Sequence, residues 1–169
     1  MIISPDSHLY VDDNYVWNPE AVKEAWAIAR KEFAGFLQHC EGVKRLGLAL
    51  PKVFLMVGAP ASGKSTWLRS RGSAFSSEAY FDACFDLPWK RQPFIDQARA
   101  MGCEVVVVWI DTPLEICIAR NGARSKDRQV PEKVVRAMWE KINNEPPASG
   151  EGVLVWRWKW NPNTQQYDK

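Results

Sequence analysis

Apolar residues in this chain fall into short unbroken runs separated by stretches of helical spacing. That is the pattern of buried strands alternating with amphipathic helices. The clearest run is Glu104-Val-Val-Val-Val-Trp-Ile110, whose β-branched residues predict a strand buried on both faces, as in a parallel sheet. Val53–Val57 and Ala79–Asp82 predict two further buried strands, and Met1–Ser4 a short one. Asn18-Pro19-Glu20 reads as a helix start, an N-cap followed by proline at the first helical position. Val22, Trp26, Ala29, Phe33, Phe36 and Leu37 follow at helical spacing and carry that helix to about Cys40, leaving 41–51 as a connector. A helix after Thr66 should end at Gly72, and one over 91–101 at Gly102. Thr112-Pro-Leu-Glu115 reads as a capping box opening a helix to about Arg120, and Pro131 opens another to about Asn143. Val153–Trp160 predicts a last alternating strand with a frayed tail to Lys169. Residues 9–18, 73–77, 121–130 and 145–150 read as loops. No repeat or domain boundary interrupts the chain. The expectation is one α/β domain with a parallel sheet, its site at the carboxyl ends of the strands.

One inter-element segment carries chemistry outright. Gly58, Ala59, Pro60, Ala61, Ser62, Gly63, Lys64, Ser65 and Thr66 form a complete GxxxxGK[ST] loop between a predicted strand and a predicted helix. That context is what the phosphate-binding motif requires. Backbone N–H groups would wrap a triphosphate, Lys64 would reach the β- and γ-phosphates, and the Ser65 hydroxyl would hold magnesium (Mg2+). The chain is therefore expected to bind a nucleoside triphosphate.

Bulk properties narrow the class without naming a substrate. With 169 residues, 46% hydrophobic and 25% charged, the chain is a globular protein of ordinary size. A net charge of +2 makes no case for nucleic acid by itself. Cys40, Cys84, Cys103 and Cys117 have no metal spacing and read as buried free thiols in a reducing compartment. The first residues lack the regions of a signal peptide, and no run is long enough to cross a bilayer, so a cytoplasmic protein with no membrane partner is expected.

Phosphoryl transfer to a hydroxyl needs magnesium support, charge neutralisation and a group that takes the acceptor proton. Asp6, in Ser4-Pro5-Asp6-Ser7 beyond the first strand, is either a general base in the crevice or a turn or cap carboxylate. Asp82, ending its strand, either supports magnesium and the acceptor or caps the strand end, and Asp86 is a weaker rival. Arg120, Arg124 and Arg128 recur every four residues, as phosphate-contacting arginines or as a solvated basic face. In Leu154–Trp160 the residues Leu154, Trp156, Trp158 and Trp160 share one face, and Arg157 and Lys159 the other. That strand either stacks bases or covers core. His8 and His39 have no partner spacing and read as ordinary surface or cap residues.

From Glu78 to about Val155 the chain resembles the polynucleotide 5′-kinase family of P-loop kinases, which has a zeta-toxin-like, adenylate-kinase-like core. The residues carrying the resemblance are AYFDACFD, FIDQARAMGCEVVVVWIDTPLEICIARNGARSKDRQVP, VVRAMWEKI and EPPASGEGV, with the loop GAPASGKSTW. They resemble the family's DATN strand, its D-x-P-x-E-x-x-x-x-R-N signature, its arginine-bearing lid and its P-x-x-x-EG close. Family members place the P-loop first and the strand carrying SPD after it. Here Ile2–Asp6 and the Trp26–Cys40 helix precede the P-loop, as in a circular permutation. The alternative is that residues 1–50 are an unrelated extension.

The resemblance implies a three-layer α/β/α P-loop kinase with permuted strand order. Residues 1–50 would be the acceptor-side block, 51–72 the P-loop block, 73–160 the remaining core with its lid, and 161–169 a tail. It implies ATP and Mg2+ as the nucleotide and metal. Lys64 and Ser65 match the phosphate and magnesium ligands, Asp6 the general base, and Asp82 the aspartate near the acceptor. Arg120 and Arg124 match lid arginines on the donor phosphates, with Arg124 also catalytic, while Arg128 aligns with a gap. Two departures fall on the acceptor side: Leu9 stands where the family often has arginine, and Ala83-Cys84-Phe85 follow Asp82 in place of the DATN pattern. The family's phosphatase signature DxDGT is absent. The implied reaction is phosphorylation of a hydroxyl on a nucleic acid, most simply a 5′-hydroxyl end of DNA or RNA. Compact stand-alone members occur in phage genomes, which keeps hydroxymethylated bases in DNA, nucleosides and nucleotides open as acceptors. From another class, an ATP-dependent binding switch also remains open.

Overall fold

The β-branched run over 105–110 does form the middle of a parallel sheet, and the rest of the chain is arranged around it. The computed structural model describes residues 1–12, 14–16, 18–71 and 78–169. In chain order the strands are β1 (Ile2–Ile3), β2 (Tyr10–Val11), β3 (Asn14–Tyr15), β4 (Lys52–Val57), β5 (Glu78–Phe81), β6 (Val105–Asp111), β7 (Leu154–Asn161) and β8 (Gln166–Asp168). The helices are α1 (Pro19–Arg45), α2 (Lys64–Ser70), α3 (Pro88–Met101), α4 (Leu114–Gly122) and α5 (Glu132–Asn144). Among the described residues the main sheet runs β1-β5-β4-β6-β7-β8, and β2 and β3 form a separate hairpin. All pairings in the main sheet are parallel except β7 with β8. This is an α/β fold of the P-loop kinase-like type.

Alternation along the central strands decides which helix covers which face. Val53, Leu55 and Val57 of β4 and Val105 and Val107 of β6 pack under Ala29, Phe33 and Phe36 of α1 and Ile95 and Ala98 of α3. Phe54, Met56, Val106, Val108 and Ile110 point to the other face, against Trp67 and Leu68 of α2. Trp156 and Trp158 pack against that second cluster, so these two rings cover core. Arg157, on the opposite side of β7, bonds Asp111 at 2.6 Å and lies 4.4 Å from the Trp109 ring.

The N-terminal segment is integral to this core. β1 pairs in parallel with β5, in the register Ile2↔Tyr80 and Ile3↔Phe81. Phe33 of α1 stacks on Phe81 at 5.8 Å, and Trp26 packs on Phe81, Phe85 and Phe94. Burying each such ring contributes roughly 1.5–3 kcal/mol. β1 and α1 are thus held by the same hydrophobic cluster as the central strands.

Several boundaries depart from expectation. Asn18 caps α1 through Ala21 N–H at 2.8 Å as anticipated, but the helix passes through Gly42 and stops at Leu46, before Gly47 at φ +68°. The connector to β4 is correspondingly short. Residues 9–16 contain the β2–β3 hairpin rather than only loop. α3 begins at Pro88, earlier than its apolar spacing suggested. The expected frayed tail carries β8, paired antiparallel to β7. The Gly72 helix stop and the 73–77 link lie outside the described residues. The four cysteines are free thiols. Burial raises each thiol above its ordinary value, Cys40 to about 12 and Cys117 to about 11. No helix among the described residues is long and apolar enough to cross a membrane.

One buried ion pair ties α3 to the turn that precedes β7. Arg91 of α3 is fully buried and forks onto both carboxylate oxygens of Glu151 at 2.6 Å, while donating to Phe85 O at 3.1 Å. That last bond braces Phe85 in the left-handed region, at φ +39°. Glu151→Ala should destabilise the protein by about 3–5 kcal/mol, because it strands a buried guanidinium. Urea unfolding followed by circular dichroism measures it.

Candidate functional site

The P-loop leaves the carboxyl end of β4 and turns sharply beside β6. A Cβ on Gly58 would sit 2.5 Å from Ser62 Oγ and 3.0 Å from Ile110 O, so glycine is required for that approach. Ala61 at φ +62° and Gly63 at φ +108° bend the loop around its own amides, the geometry of an anion-binding nest. Ala59 packs on Cys117 and Val135, fixing the loop against α4 and α5. Lys64 is buried, and its Nζ donates to Gly58 O at 2.8 Å and Ala59 O at 3.1 Å. The ammonium is therefore held across the mouth of the loop, where phosphate oxygens would meet it.

Two carboxylates converge on this mouth from adjacent strands. Asp82 follows β5, and its Oδ2 accepts from Ser65 Oγ at 2.8 Å. Ser4 Oγ donates to Asp82 O at 3.2 Å, and Asp82 N–H donates to Ile3 O at 2.8 Å. These bonds lock the end of β1 to the end of β5. Asp6 lies in the short turn Pro5–His8 just beyond. Its carboxyl pKa is raised above 3.8, first by desolvation, with Lys64 lowering it, Asp82 raising it, and Arg124 and Arg128 lowering it. Although the residue as a whole is exposed, its carboxyl thus feels the P-loop lysine, the second aspartate and two arginines at once.

The oxygen set suits a hard cation. A Ser65 hydroxyl touching an Asp82 carboxylate offers the one or two protein ligands magnesium takes when phosphates and water complete its shell. No cluster of three or more His, Cys, Asp or Glu able to hold a metal exists among the described residues, so a protein-only cage is not what is offered.

Arg120 takes an unexpected position. It donates to Ser62 O at 3.2 Å and to the Tyr167 hydroxyl at 2.6 Å, and its guanidinium lies 4.4 Å from the Trp160 ring. Thr112 Oγ1 donates to the same Ser62 carbonyl at 2.7 Å, and the Tyr167 hydroxyl bonds it as well. Thr112 therefore does not cap α4, which starts at Leu114 without a side-chain cap. Arg124 and Arg128 are exposed on the segment after α4. Asn121 anchors the base of that segment by exchanging hydrogen bonds with Val130 at 2.7 and 3.0 Å. Asp86 is buried against Lys90 at 2.6 Å and Lys141 at 3.7 Å, which makes it a structural ion pair. His8 pairs with Glu32 at 3.2 Å. The sequence reading missed Tyr167, Thr112 and the tyrosines of the β2–β3 hairpin. Tyr167 had one available signal, an aromatic residue within chain reach of Trp160.

Desolvation of Asp6 has a consequence for stability. Between 3.8 and its higher folded-state value, the unfolded chain releases the proton before the folded one does. The folded state therefore loses stability as pH rises through that window and does not regain it at neutral pH. Asp6→Asn should accordingly raise the melting temperature at pH 7, and the gain should vanish below about pH 3.8. Calorimetry at the two pH values checks the sign.

Comparison with known proteins adds a partial match. Residues 76–145 match a protein family described as an AAA domain, a segment that begins after the P-loop and spans less than half of the chain. The ATP-dependent zinc metalloprotease FtsH of Akkermansia muciniphila is 36% identical over 80 residues, which is 47% of this chain and 9% of that protein. The chain thus spans about a tenth of the curated relative it matches. Two crystal structures of an AvrRxo1-ORF1:AvrRxo1-ORF2 complex, one native and one with sulphate ions, are 17% identical. Each match covers 72% of this chain and 56% of the other, with a TM-score of 0.44. A likeness that remote carries nothing about function. The loop geometry and the AAA domain match together support a nucleotide-binding P-loop protein.

Proposed function

We propose that this protein is a magnesium-dependent ATP kinase that transfers the γ-phosphate to a hydroxyl of a nucleic acid, most simply a 5′-hydroxyl end. The supporting observation is the meeting of Asp6, Asp82, Ser65 and Lys64 at the ends of three neighbouring parallel strands. A P-loop alone would serve a binding switch equally well. A raised-pKa carboxylate opposite the P-loop lysine, flanked by Arg124 and Arg128, is the arrangement hydroxyl transfer needs. Under this reading the N-terminal block is the family's acceptor-side block, moved ahead of the P-loop by circular permutation.

The proposed roles are these. Asp6 accepts the proton of the attacking hydroxyl. Lys64 and the loop amides hold the β- and γ-phosphates. Ser65 and Asp82 would hold magnesium, which would supply charge neutralisation for the transferring group. Arg124 swings with the lid onto the donor phosphates, and Arg120 reaches them by exchanging its bond to Ser62 O. Leu9, 3% exposed and packed inward, supplies no cation beside Asp6. That observation keeps a hydroxymethylated base in DNA or a nucleoside in view as the acceptor.

The test is γ-labelled ATP with magnesium and a panel of 5′-hydroxyl DNA and RNA, end-blocked DNA containing 5-hydroxymethyluracil, nucleosides and nucleotides. Label on 5′-hydroxyl ends is expected. Label only on blocked DNA or monomers would replace the acceptor, and phosphate release without a labelled acceptor would turn the reading toward the switch. Lys64→Ala should abolish transfer while preserving the circular dichroism spectrum. Asp6→Asn should lower kcat by about 10²–10⁴-fold with ATP affinity retained. Near-normal kcat in Asp6→Asn would remove Asp6 as the base.

A further inference from the structure

The chain just after Asp6 builds a surface that the roles above leave unused. Leu9 N–H donates to Asp6 O at 3.2 Å, and Val16 N–H donates to Leu9 O at 2.7 Å, so the β2–β3 hairpin is tied to the turn that carries Asp6. The register pairs Tyr10 with Tyr15, and their rings meet edge to face at 5.3 Å. Tyr10 is 42% exposed. The lid approaches from the other side: β3 packs on the Lys126–Arg128 turn, and the Arg128 guanidinium lies 5.9 Å from the Tyr10 ring centre. Burial and the neighbouring Asp6 carboxylate push the Tyr15 hydroxyl up to about 12, so it stays a neutral donor. A solvent-open aromatic face, a phenol donor and two arginines therefore border the carboxylate that would take the acceptor's proton.

We propose that Tyr10 and Arg128 form the acceptor's base-binding slot, in which the terminal nucleobase of a 5′-hydroxyl strand stacks on Tyr10 beneath the Arg128 guanidinium. This rests on the kinase reading and names how its acceptor is recognised. A planar base between two stacking partners needs two contacts of about 3.5 Å each, roughly 7 Å in all. The observed 5.9 Å falls short by about an ångström, so the slot requires the exposed 126–128 turn to open by that much when a base enters. Stacking on aromatic and guanidinium planes is how unpaired bases are held. It also fits the residues present: with Leu9 buried, recognition beside Asp6 falls to rings. Because every base has a π-face, the slot selects for the presence of a base rather than its identity.

The experiment is a cross of two acceptors with three proteins. One oligonucleotide carries a normal 5′-terminal nucleotide, and the other an abasic one with the same 5′-hydroxyl. Wild type, Tyr10→Ala and Tyr10→Phe are assayed for transfer, and for binding to fluorescein-labelled versions by anisotropy. Tyr10→Ala should weaken use and binding of the normal acceptor by roughly 5- to 150-fold, the range of one base–aromatic stack. It should leave KM for ATP unchanged, and Tyr10→Phe should match wild type. On the abasic acceptor all three proteins should be equal. Equal losses on both acceptors, or no loss on either, would overturn the slot while the kinase reading stands. Base-dependent binding lost in Tyr10→Ala without any transfer would uphold the slot and sink the kinase reading. Failure of the wild type to bind either oligonucleotide would overturn the slot outright.

Discussion

The parallel pairing of β1 with β5 is the contact on which the candidate site depends. It comprises two residue pairs, Ile2↔Tyr80 and Ile3↔Phe81, extended by the bonds of Ser4 and Ile3 to Asp82. So short a strand has little stability of its own. It is held because Ile3 is buried in the sheet's core and α1 clamps β5 through Trp26 and Phe33. Slipping the pairing by one residue would turn Ile3 outward and Ile2 inward, exchanging a buried side chain for one that is 60% exposed. Burial of Ile3 therefore sets the register, and the register sets Asp6 beside Asp82.

Two polar networks stiffen the walls on either side. In one, Arg91 and Glu151 brace Phe85, which follows the Asp82 strand. In the other, Thr112, Tyr167 and Arg120 converge on one carbonyl, Ser62 O. Tyr167 closes against Gly63 so tightly that a Cβ there would lie 2.8 Å from its hydroxyl. The P-loop thus has its shape dictated from outside as well as by its own glycines. A loop fixed in this way meets phosphate with little reorganisation, which is where electrostatic stabilisation gains most.

Local patterning made the sheet legible, and long-range contacts hid the rest. The β6 run, the P-loop and the Asn18 cap are visible because neighbouring residues determine them. The end of α1 was misjudged because its buried positions stop at Cys40, whereas the helix continues for more than a further turn through largely exposed residues to Arg45. Thr112 misled because the capping grammar is local, whereas its hydroxyl is taken by a carbonyl fifty residues earlier in the chain. The tail misled because β8 has three residues, and its order comes from Trp160 packing on Tyr167 at 5.0 Å. Of the candidate site, the residues were readable from their motifs, but the convergence of Asp6 with Lys64 was expected only through the family resemblance. Fifty-eight positions separate them, and only the sheet order joins them.

That separation bears on how a permuted kinase would keep its chemistry. In a parallel sheet the site belongs to the carboxyl ends of adjacent strands, and it depends on which strands are neighbours rather than on the order in which the chain visits them. Placing such a block ahead of the P-loop changes two connections: α1 now leads from Arg45 to β4 at Lys52, and the P-loop helix now leads to β5. The entropy of closing such a link varies only slowly with its length. The sheet neighbours, by contrast, are fixed by buried side chains on both faces. The hydrophobic core therefore constrains the position of Asp6 far more tightly than the chain path does. A base carried just beyond the first strand would serve a phosphate held two strands over, provided that Ile3 stays buried.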